Sequence, residues 1–456
     1  MSLLRSKNRI SLLAFGLFLS ACNGPIPQAD LTFSRAPTTA ELAARSNGFV
    51  DQTTQRLLDK HEQQELFKSL SLTVHDPAPE GALVDVGFFP GRTDGYAVYR
   101  DGTAAHLTNS GQMVVLDNLT PRIDRVIVAG PSRRRIIGLN PRGTNAAWNT
   151  ANLTQQLVLR PQDTTFSQRQ VFDAEPIEGA YLATAAEGGR LELWSLISGN
   201  LVRANSLNGI QPRSIAPGSP RGGVVFGTDA GEVRVWNGSG NTRLLYSHSG
   251  PVLNVQLLPR HGLIISASKD GTVKVFNRYH GTIVAEATFS RAVYDLKISP
   301  HEKYVMVVPA NGAPRLIDLD TMAIRNLPAH PGGATTDFQF VGNGYAVSQQ
   351  GAREIITWDV ELPAPTGIIP VQFGDQITDF AIARPQNMVV VVTSDNLLQY
   401  YDLAEKEISA TVLQLSTPIA SVAVSDSGEW ALVALADGRV IRMKIDPSQP
   451  IAARVR

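Results

Sequence analysis

His248, Ser266 and Asp270 are the residue types of a nucleophilic triad, and they fall in one short stretch, SHSGPVLNVQLLPRHGLIISASKDGTVKVFN, from Ser247 to Asn277. A serine becomes nucleophilic beside an imidazole that a carboxylate orients. Asp173, Glu175 and Glu178 set three carboxylates within six residues, the donor type of a Ca²⁺ site, with a solvated acidic loop as the competing reading. The histidines (His61, His75, His106, His248, His261, His280, His301 and His330) are scattered with no short pair, so a metal site would need them to converge at the centre of the fold. Cys22 is the only cysteine, which excludes a disulfide within the chain. Neither His-x-x-Glu-His nor Gly-x-Ser-x-Gly occurs. Gly238-Ser239-Gly240 reads as a hairpin tip, and Arg133-Arg134-Arg135 as a solvated loop before a strand at Ile136-Ile137. No catalytic residue, metal or cofactor is expected from these patterns.

The elements around the triad-like set explain it better. Val252 to Leu258, Leu263 to Ser268 and Thr272 to Phe276 are short runs rich in β-branched residues, separated by turn signals at Pro259 to Gly262 and Lys269-Asp270-Gly271. Asp-Gly predicts a two-residue hairpin turn with both central residues at positive φ. The pattern repeats from residue 81 onward. A turn glycine precedes a bulky third-strand residue by five positions at Gly102 and Leu107, Gly143 and Trp148, Gly189 and Trp194, Gly231 and Trp236, Gly271 and Phe276, Gly312 and Ile317, and Gly438 and Met443. Asn396 and Tyr401 fit with asparagine in the turn, and Gly351 and Trp358 fit with two extra residues. Successive bulky positions lie 41, 46, 42, 40, 41, 41, 43 and 42 apart. A strand-rich period of this length predicts an all-β propeller of four-stranded blades, with outer strands such as Thr282 to Ala287 and Gln155 to Leu159. Nine units can be counted, and eight blades are favoured within a range of seven to nine. Ser71 to His75 or Ile451 to Val455 is expected to supply the strand that latches the ring.

Unit five resembles the WD40 family. His248, Ser266 and Asp270 match three members of that family's His-Ser-Asp-Trp network, and Phe276 stands at the tryptophan position without a donor, which truncates the network. Trp358-Asp359 and Tyr401-Asp402 repeat the family's third-strand ending. The resemblance implies that these polar residues are structural, and that the body is a binding scaffold.

The N-terminus carries a second signal. Arg5, Lys7 and Arg9 precede an apolar run from Ile10 to Leu19, too short to span a bilayer, that ends in Leu19-Ser20-Ala21-Cys22. This resembles a bacterial lipoprotein signal peptide over 1–21, with Leu19, Ser20 and Ala21 as lipobox and Cys22 as the acylated residue. Asn23 at the following position implies, by that resemblance, the outer membrane, facing the periplasm. Residues 22–37 read as a proline-containing tether, and 38–80 as a helical prelude with Val50, Leu57, Leu58, His61, Leu66, Phe67 and Leu70 near one stripe, followed by a lead-in strand; 81–456 is the propeller. Lysine plus arginine equals aspartate plus glutamate at 41 each; without Arg5, Lys7 and Arg9 the balance is 38 to 41, so a nucleic-acid partner is not expected. The expected function is a lipid-anchored, non-catalytic scaffold for envelope proteins. The alternative is a periplasmic propeller enzyme resembling quinoproteins or lactonases, with its site in the central funnel.

Overall fold

The computed structural model describes residues 33–35, 73–75, 82–116 and 452–455 and, between 122 and 445, the strands of the repeat with most of the turns that join them. The lipobox, Cys22, residues 22–32 of the tether and the helix expected over 49–70 lie outside the described residues, as do Arg133, Arg134, Gly143, Glu178, Ser239, Gly312 and His330. Within the stretch read as a tether, Phe33–Arg35 is instead a strand, because its backbone pairs with residues 453–455.

Each repeat is a four-stranded antiparallel meander. In blade five the strands are Val252–Leu258, Leu263–Ser268, Thr272–Asn277 and Thr282–Thr288, from the centre outward. The second strand is buried at every position, because a neighbouring blade covers each of its faces, and the outer strand is mostly exposed. That double coverage is why the second strands read as near-continuous apolar runs and not as alternation. Among the described residues the sheets number nine: 83–116, 125–159, 171–206, 212–247, 252–288, 293–326, 335–370, 377–414 and 419–444. They form blades one to nine, the upper end of the expected range and one more than the favoured eight.

The chain ends account for the ninth blade. Its fourth strand is Thr73–His75, antiparallel to Val440–Lys444, so the N-terminal side of the chain completes the last repeat. The other candidate latch is used too. Ala452–Val455 runs parallel to the outer strand of blade eight at Val412, Leu413 and Gln414, and Phe33–Arg35 pairs antiparallel on its far side. Nine buried apolar clusters fill the nine seams between blades. The seam that closes the ring packs Val86, Tyr99 and Leu107 of blade one against Leu432 and Val440 of blade nine, and the Tyr99 hydroxyl donates to the Gly438 carbonyl at 2.8 Å. All nine bulky third-strand residues, Leu107 to Met443, are buried in these seams.

The turn chemistry differs from expectation in one respect. Gly271 lies in the left-handed region at φ +84°, but Asp270 does not. The turn closes from Gly271 N to Ser268 O at 3.2 Å, and the Asp270 carboxylate accepts the Thr272 N–H at 2.7 Å. It is a three-residue loop with one left-handed position. Asp270 keeps ordinary φ because its side chain, and not its backbone, reverses the chain. The Gly271 carbonyl then accepts the Phe289 N–H at 2.7 Å, and Gly189, Gly231 and Asn396 receive Leu207, His248 and Leu415 in the same way.

Candidate functional site

Around His248 the structure assembles a hydrogen-bonded chain with one proton at each link. Thr272 Oγ1 lies 2.7 Å from Asp270 Oδ1 and must donate, since the carboxylate only accepts. Thr272 therefore accepts from His248 Nδ1 at 2.6 Å, which places the imidazole proton on Nδ1. Nε2 then accepts from Ser266 Oγ at 2.7 Å, and Ser266 accepts from the Tyr246 hydroxyl at 2.9 Å. Burial first, only partly offset by Asp270, pushes the His248 pKa down to about 4, so the ring is neutral at physiological pH. Ser266 is fully buried and holds two partners, which leaves no room for a substrate carbonyl. The set is a lock between blades four and five, and not a nucleophile.

Two of its members escaped the sequence reading. Thr272 stands between histidine and aspartate, whose nearest atoms are 3.9 Å apart. Tyr246 supplies the donor that Phe276 lacks, so the network is not truncated. It reaches in from the outer strand of blade four and stacks on Phe276 with centroids 4.9 Å apart. Elsewhere the tryptophan itself donates: Trp194 to Thr184 at 3.2 Å and Trp358 to Ser348 at 2.8 Å. Blades four and eight carry Phe226 and Val391 at the hydroxyl position, and there Trp236 Nε1 and the Tyr401 hydroxyl are buried without a partner among the described residues. A Tyr246→Phe protein is expected to lose about 1 kcal/mol of stability, read as a lower urea midpoint; Ser266→Ala, which strands His248 Nε2, is expected to lose about 2 kcal/mol.

The channel is lined by inner strands that share no backbone ladder with one another. Eight of the nine inner strands shift register near their start, after Leu83, Val171, Pro212, Val252, Val293, Thr335, Ile377 and Ile419. Pairing resumes at Asp85, Asp173, Ser214, Asn254, Asp295, Asp337, Asp379 and Ser421. Two of these carboxylates span the gap to the next blade: Asp173 accepts the Ile215 N–H at 2.9 Å, and Asp379 accepts the Val422 N–H at 2.8 Å. A short polar residue recurring at 173, 214, 254, 295, 337, 379 and 421 was the signal that would have found them.

A cavity of about 460 Å³ opens in this channel against blades one to six, lined by Asp124, Arg125, Asp173, Glu175, Arg213 and Asp295 among others. Its charges are largely matched. Arg125 meets Asp173 at 2.8 Å, Lys297 meets Asp295 at 2.9 Å, and Arg213 pairs with Asp229 while lying over the Phe172 ring. Burial, reinforced by the Asp173 charge, pushes the Glu175 carboxyl well above the usual range. Asp173 is committed to Arg125 and Ile215, and among the described residues no three histidine, cysteine or acidic side chains gather as a metal set. The described histidines do not converge at the centre: His75 is buried in the outer strand of blade nine, His106 sits on Asp94 at 2.7 Å, and His261 and His280 lie in turns of blade five. Arg135, expected in a solvated loop, is buried at the start of a strand.

Unmatched chemistry lies instead on the rim. Ile197, Tyr279 and Leu362 stand out from the turns before the outer strands, and Val202, Leu244, Ile283, Val284 and Ile324 face solvent on the outer strands of blades three to six. Side-chain-capped turns present them. Asn277 Oδ1 accepts the Tyr279 and His280 N–H groups at 2.9 and 3.0 Å, leaving the Tyr279 ring 71% exposed.

The WD40 family, described as WD domain, G-beta repeat, matches residues 240–277, the stretch that carries the His248 network. Among solved structures, the crystal structure of the computationally designed Ika8 protein is similar, with a TM-score of 0.50 and 18% identity over 81% of this chain and 98% of that one. That likeness concerns the fold alone. No curated protein matches the chain.

Proposed function

We propose that this WD40-like propeller is a non-catalytic protein-interaction scaffold, anchored by lipid at Cys22 to the bacterial outer membrane and facing the periplasm. One observation carries the reading: Asp173 and Asp379 at the centre are spent on joining blades, while exposed apolar side chains gather on the rim, most densely on blades three to six. Loops and edges on a rigid ring are where such bodies bind. The anchor suits this arrangement. The described chain joins the ring at Phe33–Arg35, on the outer edge of blade eight, and eleven residues from Cys22 reach at most about 40 Å. Blades three and four lie across the ring from blade eight, so their part of the rim is farthest from the point where the anchored segment joins the ring.

A Cys22→Ala protein is expected to lose palmitate labelling and to move from the membrane to the soluble fraction. Persistence in the membrane fraction overturns the anchor. In-cell crosslinking from rim positions is expected to recover a stoichiometric envelope partner; a monomer carrying a metal or quinone in its channel would overturn the scaffold in favour of an enzyme.

A further inference from the structure

Outer strands expose backbone donors and acceptors that invite another strand, and proteins guard such edges with short strands, proline or basic side chains. Most blades here follow that rule. Blades one and two end in four-residue strands, and blades six and nine in three-residue strands. Blade seven's outer strand starts at Pro365 and ends at Pro370, blades three and four carry Arg203 and Arg243, and blade eight is already covered by Ala452–Val455. Blade five is the exception. Thr282–Thr288, sequence TIVAEAT, has seven residues with no proline, glycine, lysine or arginine. Its one charge, Glu286, leans back to Lys274 at 3.9 Å. Ile283 and Val284 are exposed beside Tyr279.

The same molecule shows what such an edge accepts. In blade eight, Val412 pairs with Gln399, two residues before Tyr401; in blade five, Glu286 pairs with Lys274, two residues before Phe276. Val412, Leu413 and Gln414, which receive the parallel strand Ala452–Val455, therefore correspond to Glu286, Ala287 and Thr288. The Thr288 carbonyl is already taken by the Arg315 guanidinium at 2.6 Å, so among the described residues the open length is 282–287.

We propose that this edge of blade five is a docking site for an extended peptide strand of a partner protein, taken up parallel to Thr282–Thr288 as a fifth strand. Backbone hydrogen bonds would hold it, apolar side chains at alternate positions would meet Ile283 and Tyr279, and a lysine or arginine would reach Glu286. The inference rests on the scaffold reading only in requiring a partner, and its test is blind to lipidation.

The test is hydrogen exchange on the full chain, as wild type and as Cys22→Ala, with a short synthetic peptide of alternating valine and threonine and one lysine. The peptide is expected to slow exchange within 282–287 by about tenfold in both proteins. The effect should vanish in Ile283→Lys/Val284→Lys, whose substitutions sit at exposed positions, and with a peptide N-methylated on alternate amides. Undiminished protection in either case, or protection of another blade's edge, overturns the assignment. So does a dimer of the free protein that the double variant abolishes, which would assign the edge to a second copy of the chain.

Discussion

A Gly271→Val protein is expected to unfold at a much lower urea concentration than the wild type, with a loss on the order of 3–5 kcal/mol. Two effects add at this position. The backbone is left-handed at φ +84°, where a β-branched residue is strained. A Cβ would also stand 2.5 Å from the Phe289 carbonyl oxygen and 3.0 Å from that of Arg291, backbone atoms in the connection from blade five to blade six. Neither oxygen can swing aside as a side chain would, and Phe289 N–H is bonded to Gly271 itself. Gly281 provides the control: its φ is +70° but a Cβ there meets nothing within 4 Å. Gly281→Ala is expected to cost about 1 kcal/mol, the conformational effect alone. If Gly271→Ala costs no more than Gly281→Ala in parallel urea titrations, the crowding argument fails.

Stability is expected to fall as the medium is acidified from pH 6.5 to about 4. Burial depresses the pKa of both His248 and His75 to about 4 from an ordinary 6.5. Both imidazoles are neutral in the folded and unfolded chain above pH 6.5, so their contribution there is complete. Below it the unfolded chain takes protons that the folded ring refuses, and the folded state loses ground until about pH 4. Over two and a half pH units at about 1.4 kcal/mol each, His248 would account for at most about 3.5 kcal/mol. Asp270, whose burial is outweighed by hydrogen bonds from Thr272 and Ser249, is held far below the usual carboxylate range and adds its loss only in stronger acid. His248→Gln should flatten the slope of unfolding free energy between pH 6.5 and 4. An unchanged slope would mean that His248 titrates normally in the fold.

Strand positions and repeat period were legible because both are local. The first three strands of blade five match the runs read from sequence to within one residue, since each run is short, β-branched and bounded by turn residues. What escaped was set between units. Tyr246 lies in one repeat and completes the network of the next, and nothing in the spacing within a repeat marks it. The aspartates after the inner-strand shifts are periodic, but Asp173 and Asp379 reach backbone amides one blade away, so Asp173 read as part of an acidic cluster and not as a clasp on Ile215. The ninth unit was countable and its latch was among the two named, but the choice of eight blades over nine turned on a pairing that no single repeat displays. The last strand of that unit is Thr73–His75, and the pairing Thr73 to Arg442 joins residues from opposite ends of the repeat array.

That pairing has a kinetic consequence. Synthesis runs from the N-terminus, so Thr73–His75 is made before any of the nine blades, yet its sheet partner among the described residues is in blade nine, made after the other eight. Blades one to eight can form from contacts within and between neighbouring repeats, but the ring cannot close until blade nine is made. Bringing ends more than 360 residues apart together carries an entropic cost of roughly 5 kcal/mol in a flexible chain, which preformed blades reduce by stiffening the arc. Closure should therefore appear as a late, slow phase in refolding, and any nascent or translocating intermediate carries an open seam whose apolar face, Leu432 and Val440 on one side and Val86 and Leu107 on the other, must be shielded until the last strand arrives.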